Sequence, residues 1–216
     1  MITGIIYKII LFFPLIKSII LGRKYCFSIQ NYLIVYLLVT TINEWISFVK
    51  NLYNSDVKVG LQYNLYFIFC ILFFFFFYRN ALLNKLKIIS FIISISSLVY
   101  IVIFTHFLRE DFDKKIGIIV ALFYIINSLI WLYQKISLFD NEKITDDPNF
   151  WISTALLMWS CFFIFRVTPM FFLDKNDNDF LQVLKTIQNL INIIMYILFF
   201  VALIKYNRKA KLLMNK

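Results

Sequence analysis

Seven apolar runs follow one another along this chain, each close to the length that crosses a bilayer, with only short polar links between them. A helix needs about 20 residues to cross the roughly 30 Å hydrocarbon core. The runs cover residues 2–21, 27–50, 61–79, 87–108, 116–138, 149–173 and 180–205. The chain is 62% hydrophobic and only 16% charged, where a soluble domain holds about 45–50% and 25%. So much apolar surface does not fit inside one aqueous core, and the pattern predicts an all-α, polytopic integral membrane protein. Twenty-six Phe against four Gly and three Pro exclude the short alternating segments and frequent turns of a transmembrane barrel. No link is long enough for a soluble domain, so residues 1–206 read as one membrane domain and 207–216 as a short basic cytoplasmic tail. The first run has no basic segment ahead of it and no small-residue cleavage pattern before Gly22-Arg23-Lys24, which predicts a retained span.

The net charge of +10 is not a nucleic-acid footprint, because the basic residues sit mainly in the links and the tail. There they meet headgroups and set orientation. With the C-terminus inside, Lys and Arg near the run ends divide twelve inside to six outside, predicting an N-out, C-in topology in a cytoplasmic membrane. The acidic link at 140–147 pulls the other way. The partner this composition demands is the lipid bilayer, with no direct nucleic acid. Cys26, Cys70 and Cys161 lack CxxC spacing and are expected to be buried apolar thiols rather than a disulfide or metal site.

Polar residues inside the runs carry the functional signal. In the last run Gln182, Lys185, Asn189, Asn192 and Tyr196 recur at steps of 3, 4, 3 and 4, which places them on one helical stripe. Facing acyl chains, such groups cost several kcal/mol each, so the stripe must face protein or water. Span 2 repeats the pattern with Tyr36, Thr40, Asn43 and Ser47, and Glu44 flanks that face. Span 5 offers Tyr124, Asn127, Ser128, Trp131 and Lys135, while Ser90, Ser94 and Ser97 of span 4 have the spacing of a close-packing surface. Lys8, Glu44, Arg166 and Lys185 are intramembrane charges at similar depth. With Asn43, Asn189 and Asn192 they form the expected ligand site, and three cations against one carboxylate favour an anionic or zwitterionic ligand. The competing reading pairs Glu44 with Arg166 for helix packing and lets Lys8 and Lys185 snorkel. His106 beside Glu110 and Asp111 is too poor a ligand set for zinc and is expected to be a solvated helix end. No metal or cofactor is predicted.

At an offset of 118 residues Lys17 meets Lys135, Asn31 meets Asn149, Ile34 meets Ile152, Leu38 meets Leu156 and Asp56 meets Asp174. This superposes spans 1–3 on spans 5–7 and leaves span 4 as a linker, although low-complexity apolar sequence also aligns with itself. Parallel repeats are one way to build transporters. The 3+1+3 order resembles the topology of SWEET and PQ-loop proteins, but no Pro-Gln pair occurs here. Asn43-Glu44, Tyr63-Asn64-Leu65-Tyr66 and Asp147-Pro148-Asn149-Phe150-Trp151-Ile152 resemble segments of small seven-helix proteins of Bacteroidota. That resemblance implies a seven-helix fold in a bacterial inner membrane and carries no activity.

Glycine-rich phosphate loops, HExxH and a nucleophile elbow are absent. Three readings stand. The first is a seven-helix bundle whose intramembrane polar site binds or conducts a small solute or ion. The second is a homo-oligomeric pore or signalling effector controlled by a cytoplasmic partner. The third is a membrane-embedded lipid hydrolase using Glu44, for which an isolated carboxylate is a weak basis.

Overall fold

The structure, a computed structural model, describes residues 2–53, 58–138, 143–172 and 178–214. Among the described residues seven helices follow in order: α1 (Ile2–Lys24), α2 (Leu33–Tyr53), α3 (Gly60–Ala81), α4 (Asn84–Phe104), α5 (Lys114–Ser137), α6 (Pro148–Phe172) and α7 (Asn178–Met214). Short 3-10 turns lie at Phe27–Gln30 and Ile144–Asp146. No strand occurs among the described residues, and all seven helices are long and apolar enough to cross a membrane. Asp56, Asp140, Asp174, Lys175 and Lys216, which enter the repeat and charge arguments above, lie outside the described residues.

Three helix boundaries depart from the sequence expectation. The helix α1 continues through Gly22-Arg23-Lys24, the expected break. Gly22 is there for close approach, since a Cβ at that position would stand 2.4 Å from the Phe27 ring. The helix α2 starts at Leu33 instead of near residue 27, because Asn31 and Tyr32 adopt left-handed backbone, φ 49° and 57°. Side chains hold that turn in place. Ser18 donates to Gln30 Oε1 at 2.7 Å and Gln30 Nε2 returns a bond to the Ser18 carbonyl at 3.0 Å. Asn31 Nδ2 donates to the Phe77 carbonyl at 2.8 Å. The third difference is at the other end of the chain, where α7 runs unbroken to Met214 through most of the expected tail.

The main packing neighbours trace a ring: α1 against α2, α2 against α3, α3 against α5, α5 against α6, α6 against α7, and α7 back against α1. The helix α4 sits outside, against α3 and α5, and is the least buried of the seven. Its outward residues include Ile88, Ile92, Val102 and Ile103, all exposed. In water this surface would drive aggregation, while in a bilayer it contacts lipid. Inside the ring the core is aromatic. Phe74 meets Tyr36 and Tyr124 edge-on at 4.9 and 5.0 Å between centroids, the arrangement the ring quadrupoles favour. Tyr78, fully buried, shares its hydroxyl with Ser128 at 2.9 Å and Ser153 at 3.1 Å.

The end of the bundle that carries the α7 C-terminus is closed by polar contacts. Gln134 Oε1 accepts from the Leu83 N–H at 2.7 Å, Lys135 pairs with Asp147 at 3.6 Å, and Tyr206 donates to Asn149 at 2.8 Å. Lys205 pairs with Asp146 at 2.7 Å and holds that exposed carboxyl below its ordinary value of 3.8. At the opposite end Asn64 anchors the α4–α5 link, donating to the Asp111 carbonyl at 3.2 Å and accepting from the Asp113 N–H at 3.1 Å. Asp113 in turn accepts from the His106 and Lys115 N–H groups, so it caps α5. No group of metal-binding side chains occurs among the described residues. Cys26, Cys70 and Cys161 are free thiols, but only Cys70 is buried. The turn leaves Cys26 in the open, and α6 points Cys161 away from the core.

Candidate functional site

A cavity of about 980 Å³ occupies the end of the ring formed by the α1 and α7 N-termini. It runs from Thr3, Leu52, Val59 and Gln182 at the helix ends to Tyr124 and Tyr196 near the middle of α5 and α7. All six ring helices contribute to its wall, and α4 contributes none. The volume lies at the upper end of the ~300–1,000 Å³ typical of ligand pockets.

The α7 stripe faces this cavity. Gln182, Lys185, Asn189, Asn192 and Tyr196 all line it. Asn189 lies against Gly4 of α1, and its Nδ2 donates to Thr3 Oγ1 at 3.3 Å. Trp159 of α6 donates its indole N–H to Asn192 Oδ1 at 2.8 Å. Gln188, buried, reaches the same oxygen at 3.5 Å and leaves its own Oε1 without a partner.

Glu44 projects from α2 into the opposite wall. Lys8 donates to the Glu44 carbonyl at 2.7 Å and to Oε2 at 3.0 Å. Tyr7 also donates to Oε2, and Tyr63 to Oε1 at 3.5 Å. Lys8 lies beside the rings of Tyr7 and Phe48, 5.4 and 5.5 Å from their centroids, within cation–π range. The side chains of Lys8 and Glu44 are 11% and 12% exposed, so this is a nearly buried ion pair. The packing pair expected between Glu44 and Arg166 does not form. Arg166 also lines the cavity, half-buried, and no ion pair with it occurs among the described residues. Lys185 likewise has no carboxylate partner among them.

Six of the seven expected site residues therefore share one cavity: Lys8, Glu44, Arg166, Lys185, Asn189 and Asn192. Asn43 does not join them. It turns toward α3, where Gln62 Nε2 donates to its carbonyl at 2.6 Å and its Oδ1 at 3.0 Å. An Asn one residue before Glu44 points about 100° away around the helix, which explains the separation. Thr40 is turned aside as well, bonding the Tyr36 carbonyl and the Tyr66 hydroxyl. The stripe in span 5 breaks up in the same way: Tyr124 lines the cavity, whereas Asn127 accepts from Ser90 of α4 at 2.5 Å.

Tyr7, Tyr63, Trp159 and Gln188 were not anticipated as site residues. Trp159 had a readable signal, since an indole N–H inside an apolar run needs an acceptor. The deep end of the cavity is hydroxyl-rich, lined by Tyr36, Tyr66, Tyr124 and Tyr196 together with the Cys70 thiol. Seven apolar helices, an outer surface of exposed Ile, Val, Leu and Phe, and charges turned inward are the marks of a multi-pass membrane protein. Compared with described protein families, curated proteins and solved structures, the chain matches none.

Proposed function

We propose that this is a bacterial inner-membrane protein, oriented N-out and C-in, whose outward-facing cavity binds a small anionic or zwitterionic solute and passes it on or reports its presence. One observation carries the reading: Lys8, Arg166 and Lys185, from three different helices, line a single cavity in which the described residues supply one carboxylate, Glu44. Glu44 is occupied by Lys8, so two cations face the space without a counter-charge among the described residues. The half-buried Arg166 guanidinium recovers its desolvation cost when an anion supplies charge-assisted bonds, and the Lys185 ammonium adds to the attraction.

The rival arrangement, stripes meeting between protomers to form a pore, needs Asn189, Asn192 and Tyr196 on the outer surface. They face the cavity of a single chain instead. A hydrolytic role for Glu44 would call for a second carboxylate or a set of metal-binding side chains beside it, and the described residues place neither there. The α4 position outside a six-helix ring supports two three-helix units joined by a linker helix.

The test is thermal unfolding of the full-length protein in lipid nanodiscs with a panel of carboxylates, amino acids and phosphate. At least one class should raise the melting temperature saturably, and Asn192→Leu, still folded, should remove the rise. A panel without effect, together with unaltered behaviour of Asn192→Leu, would reject a solute site.

A further inference from the structure

The cavity changes character with depth. Its mouth carries Arg166 and Lys185, with the Lys8–Glu44 pair beside them. Next comes an aromatic band in which Trp159 and Phe163 stack at 4.8 Å and 18°, and Phe67 meets Phe163 edge-on at 6.1 Å. The floor is phenolic, with Tyr66 sharing its hydroxyl with Thr40 at 2.9 Å. Along α7, Lys185 and Tyr196 are separated by about 16 Å at ~1.5 Å per residue.

These layers discriminate between anions. An inorganic anion engages only the mouth and leaves the aromatic band unused. An alkyl carboxylate suits the band but lays methylenes against the floor hydroxyls. An aromatic acid matches all three layers, with its carboxylate on Arg166 and Lys185, its ring face or edge against Trp159 and Phe163, and a polar substituent toward the tyrosines. The unpartnered Gln188 Oε1 beside the band is a buried acceptor with an unmet demand, which an N–H or O–H on the ligand answers.

Resting on the solute-site reading above, we infer that the cavity takes an aromatic organic acid with two or more rings and a hydrogen-bond donor away from the carboxylate. The experiment is equilibrium dialysis of the full-length protein in nanodiscs, with empty nanodiscs subtracted, against 6-hydroxy-2-naphthoate, 2-naphthol, decanoate and phosphate. The naphthoate should bind saturably and at least tenfold more tightly than the other three. Arg166→Gln and Lys185→Gln should each weaken it about tenfold, as expected for loss of a charge-assisted bond. Trp159→Leu, or Phe163→Leu should the first variant fold poorly, should weaken the naphthoate and leave any weak phosphate binding unchanged. Decanoate or phosphate binding as tightly, and weakened by Arg166→Gln, would keep the solute site and overturn the aromatic class. Equal binding of 2-naphthol, insensitive to both charge variants, would overturn selection of an anion. Saturation by none of the four would overturn the aromatic-acid class, while the thermal panel above decides the solute site itself.

Discussion

Glu44 illustrates what a single residue costs and stabilises here. Its carboxylate accepts from Lys8, Tyr7 and Tyr63 in a site where both charged side chains are nearly buried. Glu44→Gln should destabilise the protein by about 2–3 kcal/mol, because the Lys8 ammonium keeps its burial and loses its counter-charge. The double variant Lys8→Met with Glu44→Gln should recover much of that loss, and chemical denaturation in nanodiscs measures both. Tyr78→Phe is a second case, leaving the Ser128 and Ser153 hydroxyls short of a partner at about 1–2 kcal/mol. The identity of the charged residues was legible in the sequence, since Lys, Glu and Arg inside apolar runs stand out. Their pairing was not. Hydrophobic runs report how deep a residue lies but not which way its helix is turned. The sequence therefore allowed a Glu44–Arg166 pair with Lys8 snorkelling, whereas the packing of α1 beside α2 gives Glu44 to Lys8. Asn43 was misplaced for the same reason.

At the scale of elements, the helices themselves followed from length and hydropathy, while their ends followed from local chemistry that periodicity does not carry. Gly22 read as a breaker and serves as a contact point for Phe27. The left-handed pair Asn31-Tyr32 delays α2 because Ser18, Gln30 and Phe77 hold the turn. The α3 N-terminus makes an equally tight contact: a Cβ at Gly60 would stand 2.2 Å from the backbone of Asp111 and Phe112. Gly60→Ala should force the α4–α5 link away and cost more than about 1 kcal/mol, read as a lower melting temperature. The α7 helix, 37 residues and so about 55 Å long, overshoots the hydrocarbon core and is tethered by Lys205 to Asp146. Because the Asp146 carboxyl titrates below 3.8 in the folded protein, the tether is complete above that pH and is lost as pH falls through the lowered value. The melting-temperature gap between wild type and Asp146→Asn should therefore close as the pH drops below 3.8.

For the whole molecule, the orientation proposal has a built-in reporter. Cys26 sits exposed in the α1–α2 turn at the closed end of the bundle, and hydrogen bonds from Ser28 hold its thiol below its ordinary value, which favours the reactive thiolate. With the closed end facing the cytoplasm, a membrane-impermeant maleimide should label Cys26 only after the cells are permeabilised. Labelling of intact cells would invert the topology and turn the cavity inward. Closure of six helices into a ring was not readable from composition, because every run is apolar enough to take any place in the bundle; only the offset of 118 residues set span 4 apart.

The ring of phenols beneath the cavity has a kinetic meaning. A passage that ends in Tyr36, Tyr66, Tyr124 and Tyr196, backed by the fully buried Phe74 and Phe199, is a cul-de-sac. Cargo crossing it would wait for those rings to swing apart, one occupant per cycle. Flux would then plateau with concentration like an enzyme's velocity, and a patch electrode would find no unitary conductance steps.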